Sequence, residues 1–194
     1  MAQSVEMAYG IIVLMRTIVS IDIGGTQLRA AAYTQDQREA IAHKRVKTKA
    51  SEPDTFGRLV KLIEDIWPKT GKVDAIGVSI PGPVDPHSGI IMLTPNIKEW
   101  RDFPITAKLT GHFGVPAFLD NDANLAGLAE WKFGAGRGHH DVLYITVSTG
   151  VGGGVIIKDR LLQGYHGLAA ELGHTTLQAE NGPLCGCGQY GHLE

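Results

Sequence analysis

Residues 17–33 read TIVSIDIGGTQLRAAAY, a β-branched run that ends in Gly24-Gly25 and is followed at once by a second run of apolar and small residues. Two such runs joined through glycines predict a β-hairpin. The same pattern returns at 142–158 as VLYITVSTGVGGGVIIK. Two hairpins that each open an α/β unit indicate a duplicated fold with a ligand between its halves, although two ordinary hairpins in an α/β protein would show the same pattern. The predicted strands are Thr17–Ile23, Leu28–Tyr33, Val142–Ser148 and Val155–Lys158, with a glycine turn over Thr149–Gly154.

The segment between the hairpins alternates helical and extended patterns. Over Asp54–Lys69, apolar residues recur at the i, i+3, i+4, i+7 spacing of an amphipathic helix. Asp122–Phe133 predicts a second long helix, which Gly134 ends. Residues 165–194 are rich in glycine and histidine and predict loops. The other predicted elements are a third antiparallel strand over Ala40–Thr48, strands over Val73–Ile80 and Val115–Leu119, and a short helix over Pro104–Phe113.

The composition is that of a folded globular protein. Apolar residues make up 43% and charged residues 20% of the 194 positions, with a formal net charge of -2. These values exclude a disordered or collagen-like chain. The near-neutral charge argues against nucleic-acid binding driven by bulk charge, and no apolar run approaches the roughly 20 residues that span a bilayer. We therefore predict a cytoplasmic protein that binds neither membranes nor nucleic acid.

Residues 1–16 fit the rest of the chain poorly. The apolar run Tyr9–Met15 follows Glu6, where a secretory signal would carry positive charge, and no small-residue cleavage site comes after it. We therefore predict an unstructured leader over residues 1–16.

Two glycine-rich turns are candidate phosphate sites. In the first, Asp22 ends a buried strand and could hold Mg²⁺, directly or through water. The glycines that follow would expose backbone N–H groups to an anion, and Thr26 could donate to a phosphate oxygen. Either turn alone could be a plain turn, but two of them could clamp a polyphosphate along its length. The second candidate turn contains Ser148-Thr149-Gly150 and Gly152–Gly154.

Three polar residues, Asp120-Asn121-Asp122, lie between an apolar strand and a helix. One of them could simply cap the helix, which leaves two polar groups at the edge where α/β proteins bind ligands. A carboxylate at a helix N-terminus should stay ionised because the helix dipole favours negative charge. Such a group suits a base that accepts a proton from a substrate hydroxyl.

A group of metal-binding residues lies near the end of the chain. His174, Cys185, Cys187 and His192 fall within 19 residues of one another and suit tetrahedral Zn²⁺. Zinc with four protein ligands would be structural, since no position is left for water. The alternative is two free thiols and two surface histidines. Glu171 lies three residues before His174 and could face the same ligand.

Seven motifs follow one another along the chain: IDIGGTQLRAAAY, SIPGPVD, TPNIKEW, DNDANLAGLAEW, TVSTGVGGGVI, AAELGH and CGCGQYGHLE. In this order they resemble the ROK family, which groups bacterial sugar kinases with sugar-responsive repressors. The resemblance runs from Thr17 to Glu194 and implies the actin-like ATPase fold of two ribonuclease-H-like lobes. It implies a first lobe over 17–121 and a partial second lobe with a zinc loop over 122–194.

The resemblance implies an ATP-dependent hexose kinase of the glucokinase type, with Asp122 as the base that activates the sugar hydroxyl, expected to be O6. It implies ATP, Mg²⁺ and structural Zn²⁺ as cofactors, and a homodimer or homotetramer. The phosphate elements would comprise Asp22, Gly24, Gly25, Thr26, Gln27 and Arg29, then Thr149 and Gly150. The sugar contacts would come from Gly82, Asn96, Asn121, Asp122, Glu171, His174 and Glu194. The zinc ligands would be His174, Cys185, Cys187 and His192.

Three departures from the family pattern bear on these expectations. His192 stands where the family usually has cysteine, and Ala170 stands where it has glycine, which we expect to be a modest steric change. The chain stops at Glu194, where family members continue through the rest of the second lobe. The alternative function is therefore a sugar-binding remnant with impaired catalysis. A sugar-responsive regulator is less favoured, because 16 residues ahead of Thr17 are too few for a DNA-binding module.

Overall fold

The first predicted hairpin forms one side of a five-stranded sheet in the computed structural model, which describes residues 16–34, 37–49, 54–94, 96–148 and 150–194. The elements of this first unit are β1 (Arg16–Ile23), β2 (Gln27–Thr34), β3 (Ala42–Lys47), α1 (Thr55–Ile66), β4 (Lys72–Ile80), β5 (Val84–Asp85), β6 (Ile90–Ile91), α2 (Ile105–Phe113) and β7 (Ala117–Asn121). The sheet order is β3-β2-β1-β4-β7. β1, β2 and β3 pair antiparallel, whereas β4 runs parallel to both β1 and β7. The carboxyl ends of β1, β4 and β7 therefore meet at one edge of the sheet.

One face of this sheet carries the hydrophobic core. Alternate residues of β1 (Val19, Ile21 and Ile23) are buried with the apolar face of α1 and with Leu109 of α2. On the opposite face Ile18 is 49% exposed. The alternation of buried and exposed residues along β1 is the period of a strand with one buried face, and α1 shows the helical period predicted for it. Each fully buried aliphatic side chain contributes about 1.5–3 kcal/mol, so this packing fixes the strand ends that carry the polar residues.

The second unit is smaller. It consists of α3 (Asp122–Phe133), β8 (Val142–Val147), β9 (Val151–Ile157) and β10 (Arg160–Leu161), and its sheet has the order β10-β9-β8. Beyond β10 the described helical structure is a single 3₁₀ turn over Leu172–His174, in line with the loops predicted there. α3 begins where β7 ends and packs on β8 and β9. The domain boundary between 121 and 122 stays a prediction.

The glycine run of the second hairpin is not the turn that we predicted. Gly152, Gly153 and Gly154 lie inside β9, and the answering strand starts at Val151 instead of Val155. α3 crosses this part of the strand so closely that a Cβ on Gly154 would lie 3.0 Å from the carbonyl oxygen of Ala123 and 3.3 Å from the Cα of Gly127. Gly152 and Gly154 therefore allow close packing of α3 on β9, whereas Gly153 faces Ala170 and Leu172. The part of these glycines in a phosphate cradle stays a prediction.

Replacing Gly154 with Ala is expected to destabilise the protein by about 1–3 kcal/mol, because the added methyl overpacks backbone that cannot move aside. Urea unfolding followed by circular dichroism measures the change. The matched control is Gly111→Ala in α2, where a Cβ meets nothing within 4 Å and the substitution should stabilise by about 0.5–1 kcal/mol. Equal effects of the two substitutions would contradict this account of the β9 glycines.

Most of the predicted leader lies outside the described residues. Residues 1–15 of the predicted leader are not described, and Arg16, its last residue, is the first residue of β1. Of the helices that the structure describes, none is long and apolar enough to cross a membrane. The cytoplasmic location stays a prediction.

Candidate active site

A cleft of about 490 Å³ lies between the β7–α3 junction, the β8–β9 hairpin and the loops that carry Glu171 and Glu194. This volume falls within the roughly 300–1,000 Å³ range of small-molecule sites. The predicted site residues that line it are Asn121, Asp122, Gly150, Glu171 and Glu194. The cleft thus gathers residues from elements that are far apart in the chain.

The β7–α3 junction sets the geometry of one wall. Asn121 is the N-cap of α3, and its Oδ1 accepts a hydrogen bond from the Ala123 N–H at 2.8 Å. Its Nδ2 donates to the carbonyl oxygen of Gly82 at 3.1 Å. One residue of the polar triplet therefore caps the helix, as we anticipated, and the same side chain ties Gly82 to the cleft wall.

Asp122 is the first residue of α3 and its carboxylate faces the cleft. Oδ1 also accepts from the Ala123 N–H, at 2.9 Å. Burial by the cleft walls raises the pKa of Asp122, and the negative charge of Asp22 raises it further. The hydrogen bond from the Ala123 N–H favours the ionised form, but desolvation outweighs it in the net shift of the pKa. The carboxylate is therefore a better proton acceptor than an ordinary aspartate. That this carboxylate stays ionised remains a prediction.

Two more carboxylates lie on the other side of the cleft. Burial raises the pKa of Glu171, and the charges of Glu194 and Asp122 add to this effect, although His174 opposes it. Carboxylates that line one cleft repel one another. Hydroxyl groups bound between them would relieve this repulsion by donating hydrogen bonds to the carboxylate oxygens. The arrangement suits a polyhydroxylated ligand.

Ala170, immediately before Glu171, has a left-handed backbone with φ 65°. An L residue with a Cβ pays about 1–2 kcal/mol in this conformation, whereas glycine does not. We had expected a modest steric change at Ala170. The structure shows instead that the cost of alanine in place of glycine lies in the backbone conformation.

The first hairpin turn does not line this cleft, although the charge of Asp22, which precedes the turn, acts on Asp122. The Gly24 N–H donates to the Gln27 carbonyl at 2.9 Å, and Arg29 pairs with Asp22 at 3.0 Å. Asp22 and Arg29 line a second groove of about 620 Å³ along β1, β2 and β3. Thr26 is exposed at the turn.

Asn96 lies against the first hairpin turn. A Cβ on Gly25 would come within 2.6 Å of its Nδ2, so glycine permits this approach. The turn and a predicted sugar residue are thus neighbours. Thr149, the predicted hydroxyl of the second turn, lies outside the described residues.

His174, Cys185, Cys187 and His192 come together, with one ligand atom from each within 4.8 Å of all the others. The two Nδ1 atoms of His174 and His192 are 3.4 Å apart, Cys185 Sγ is 3.6 Å from His174 Nδ1, and Cys187 Sγ is 3.4 Å from His192 Nδ1. Four donors about 2.0–2.3 Å from a tetrahedral ion stand about 3.3–3.8 Å from one another. The spacing and the two thiol and two imidazole donors therefore fit Zn²⁺.

Glu194 connects this cluster to the cleft. Its Oε2 accepts the Val151 N–H at 2.9 Å, and its Oε1 lies 3.9 Å from both His174 Nε2 and Cys185 Sγ. The segment that would wrap the metal therefore also supports the start of β9, beside Gly150.

Two residues at the site were missed by the sequence analysis. Asp120 is 6% exposed, and its Oδ2 accepts a hydrogen bond from Gln163 Nε2 at 2.6 Å. The polar triplet signalled Asp120 but gave it no role. Nothing in the local pattern around Gln163 could have revealed its contact, because that contact joins residues 43 apart in the chain.

Comparison with known proteins places these residues in a family context. The family model described as "ROK family" matches residues 18–194. A glucokinase from Thermotoga maritima is 36% identical over 91% of this chain, which spans 56% of that protein's length. A putative xylose repressor from Caldicellulosiruptor sp. is 38% identical over 91% of this chain and 45% of its own.

A solved structure extends the likeness to the fold. The ROK family glucokinase from Streptomyces griseus, in complex with glucose and AMPPNP, superposes with a TM-score of 0.75 at 34% identity over 91% of this chain and 55% of its own. This likeness confirms the predicted α/β fold of the actin-like ATPase class, with the second lobe represented in part.

Proposed function

The chain belongs to the ROK family, and on that basis we propose that it is the sugar-binding and catalytic part of an ATP-dependent hexose kinase of the glucokinase type. One observation carries the proposal: Asp122, Glu171 and Glu194 line a single cleft. The chain spans about half the length of the relatives it matches, so the proposal concerns the activity of the whole protein.

In the proposed reaction Asp122 accepts the proton of a sugar hydroxyl, O6 in a hexose, as that oxygen attacks the γ-phosphorus of ATP. The bond between the γ-phosphorus and the β–γ bridging oxygen breaks, and ADP leaves with that oxygen. Its raised pKa supports this role. The remaining hydroxyls would form hydrogen bonds with Asn121, Glu171 and Glu194. These contacts would hold the acceptor oxygen beside Asp122. Positioning and charge stabilisation would supply most of the rate enhancement, as is usual in phosphoryl transfer.

The first hairpin turn would face the phosphates. Asp22 would hold Mg²⁺, and the backbone N–H of Gly25 would bind a phosphate oxygen, with Gly24, Thr26, Gln27 and Arg29 around them. When bound, Mg²⁺ neutralises charge that develops on the transferred group. Asn96, which lies against Gly25, places the predicted sugar and phosphate regions next to each other.

The zinc cluster would be structural. His174, Cys185, Cys187 and His192 supply four donors that fit the ion, and no position is left for a reacting water. Zinc would fix the segment that ends in Glu194 and thereby hold one wall of the sugar site.

Two measurements test the proposal. Calorimetric titration measures the binding of glucose and of Mg·ATP, and a coupled ADP-release assay measures turnover. Glucose should bind with an affinity between about 1 μM and 1 mM, the common range for substrates. 6-Deoxyglucose is the matched control: it should bind similarly and give no ADP release above background. Absence of hexose binding would refute the proposal. Sugar binding without nucleotide binding or turnover would favour the sugar-binding remnant.

The likeness to a putative xylose repressor supports a sugar-responsive regulator as the second candidate. A regulator would bind sugar in the same cleft but would not transfer phosphate. Salt-sensitive binding to a specific operator, together with no phosphorylation of any bound sugar, would favour it over the kinase.

A further inference from the structure

We propose that Asp120 is a positioning residue, whose buried carboxylate holds the β7–α3 junction and the loop before Glu171 in fixed register. The role rests on the proposed function, because Asp122 and Glu171 are the two groups whose separation it would set. Asp120 itself does not line the cleft, so it would act through its neighbours.

The junction side of the contact is held by two hydrogen bonds. Asp120 Oδ1 accepts from its neighbour's backbone, the Asn121 N–H, at 2.8 Å. The same oxygen accepts from Asn124 Nδ2 at 2.9 Å. Both donors lie on the wall that carries Asp122, so the carboxylate is bound to the first turn of α3 on either side of the proposed base.

The loop side of the contact is held by Gln163. Its Nε2 donates to Asp120 Oδ2 at 2.6 Å, and its carbonyl oxygen accepts the Ala169 N–H at 3.1 Å. The residue before it is fixed to β9, since the Leu162 N–H donates to the Val155 carbonyl at 2.8 Å. Gln163 thus closes the loop that leads directly into Ala170 and Glu171.

Asp120 makes an unusual use of a buried charge. It is 6% exposed and, among the described residues, no lysine, arginine or histidine pairs with it. Burying a carboxylate without a cation is costly unless its oxygens are fully hydrogen-bonded. Charge-assisted hydrogen bonds are roughly twice as strong as neutral ones. Here they join the β7–α3 junction to the loop that contains Gln163. That arrangement is expected where geometry, more than stability, is being fixed.

A donor–acceptor swap tests the proposal. Gln163→Glu should place two carboxylates together with no donor between them; the double variant Asp120→Asn/Gln163→Glu restores one N–H donor facing one carboxylate. Asp120→Asn alone should have a mild effect, because the Gln163 amide can turn by 180° and present its oxygen to the new amide. We expect Gln163→Glu to lower kcat about 10- to 100-fold, because small displacements of reacting groups are this costly. The double variant should recover to within about threefold of the wild type. Gln37→Glu, at an exposed position, is the matched control.

Amide hydrogen exchange provides a readout that does not depend on activity. In Gln163→Glu, exchange should become faster both at 121–124 and at 169–171, and the double variant should reverse both changes. Gln163→Ala, which removes the hydrogen bond without adding a charge, serves if Gln163→Glu does not fold, and should speed exchange at 169–171. If the wild type binds no hexose, the proposed function fails while these exchange results still test the contact.

Two results would overturn the proposal. One is a double variant as impaired as Gln163→Glu. The other is a Gln163→Glu variant whose unfolding temperature falls while its kcat, its KM for hexose and its exchange at 169–171 match the wild type, because that pattern describes a contact with a purely structural role.

Discussion

Replacing Asp122 with Asn is expected to lower hexose phosphorylation by about 10²–10⁴-fold, the usual contribution of a general base. Hexose affinity should change by less than about threefold, since Asn keeps the size of the side chain and an oxygen that can accept the Ala123 N–H. A coupled ADP-release assay gives kcat and KM, and calorimetry gives the sugar affinity. The loss should therefore appear in kcat.

Asp102→Asn is the matched control for this substitution. Asp102 is exposed and has a left-handed backbone with φ 49°, a conformation that Asn tolerates well. Its activity should equal that of the wild type. A wild-type turnover no higher than that of Asp122→Asn would refute the role of Asp122 as the base.

The raised pKa of Asp122 predicts how the kcat of the wild type, and the stability gained by Asp122→Asn, depend on pH. Protonated Asp122 cannot accept a proton, so kcat should fall as pH falls through this pKa, at a higher pH than for an ordinary aspartate. The folded state also disfavours the ionised carboxylate, so Asp122→Asn should raise the free energy of unfolding at neutral pH. This gain should disappear when the pH falls below the carboxyl's pKa in the unfolded chain. A less active but more stable variant would separate catalysis from folding.

Removal of the metal is expected to have the second-largest effect. Purified protein should contain close to one zinc ion per chain by elemental analysis. Structural zinc binds small zinc-finger peptides with about 10–16 kcal/mol of free energy. Chelation should therefore loosen the segment from Cys185 to Glu194, which would then be held mainly by its backbone hydrogen bonds to residues 173–178. Hexose affinity should fall about 10-fold or more, because His174 belongs both to the cluster and to the predicted sugar site, and Glu194 of that site contacts the cluster.

Substitution of one ligand refines this test. His192→Ala should lose zinc, whereas His192→Cys should retain it, because a thiolate binds zinc at least as well as imidazole. His139→Ala is the matched control. His139 is exposed, and Trp131 Nε1 donates a hydrogen bond to its backbone carbonyl, which the substitution keeps. Protein that carries no zinc after metal-free purification and binds hexose normally would show that the cluster is four unligated side chains.

Local patterns identified most of the elements and many of the candidate residues. The β-branched run ending in Gly24-Gly25 and the amphipathic period of α1 predicted a strand pair and a helix that the structure contains, because side-chain periodicity reports which residues face a core. The cysteines and histidines near the end of the chain likewise predicted a metal cluster, since their chemistry and spacing are local properties. Bounds at β7 and β9 were less accurate, because the pairing partner decides where a strand begins.

The sequence by itself determined the duplicated hairpin pattern and the amphipathic period of α1, and it indicated Asp122 as the candidate base. Only the tertiary structure decided what the glycines of β9 do, why Ala170 matters and how Asp122 titrates. Each of these depends on atoms brought close by distant segments: α3 crossing Gly154, the backbone entering Glu171, and Asp22 near Asp122. Steric contact, burial and Coulomb interaction act through space, so the order of residues along the chain cannot specify them without the fold.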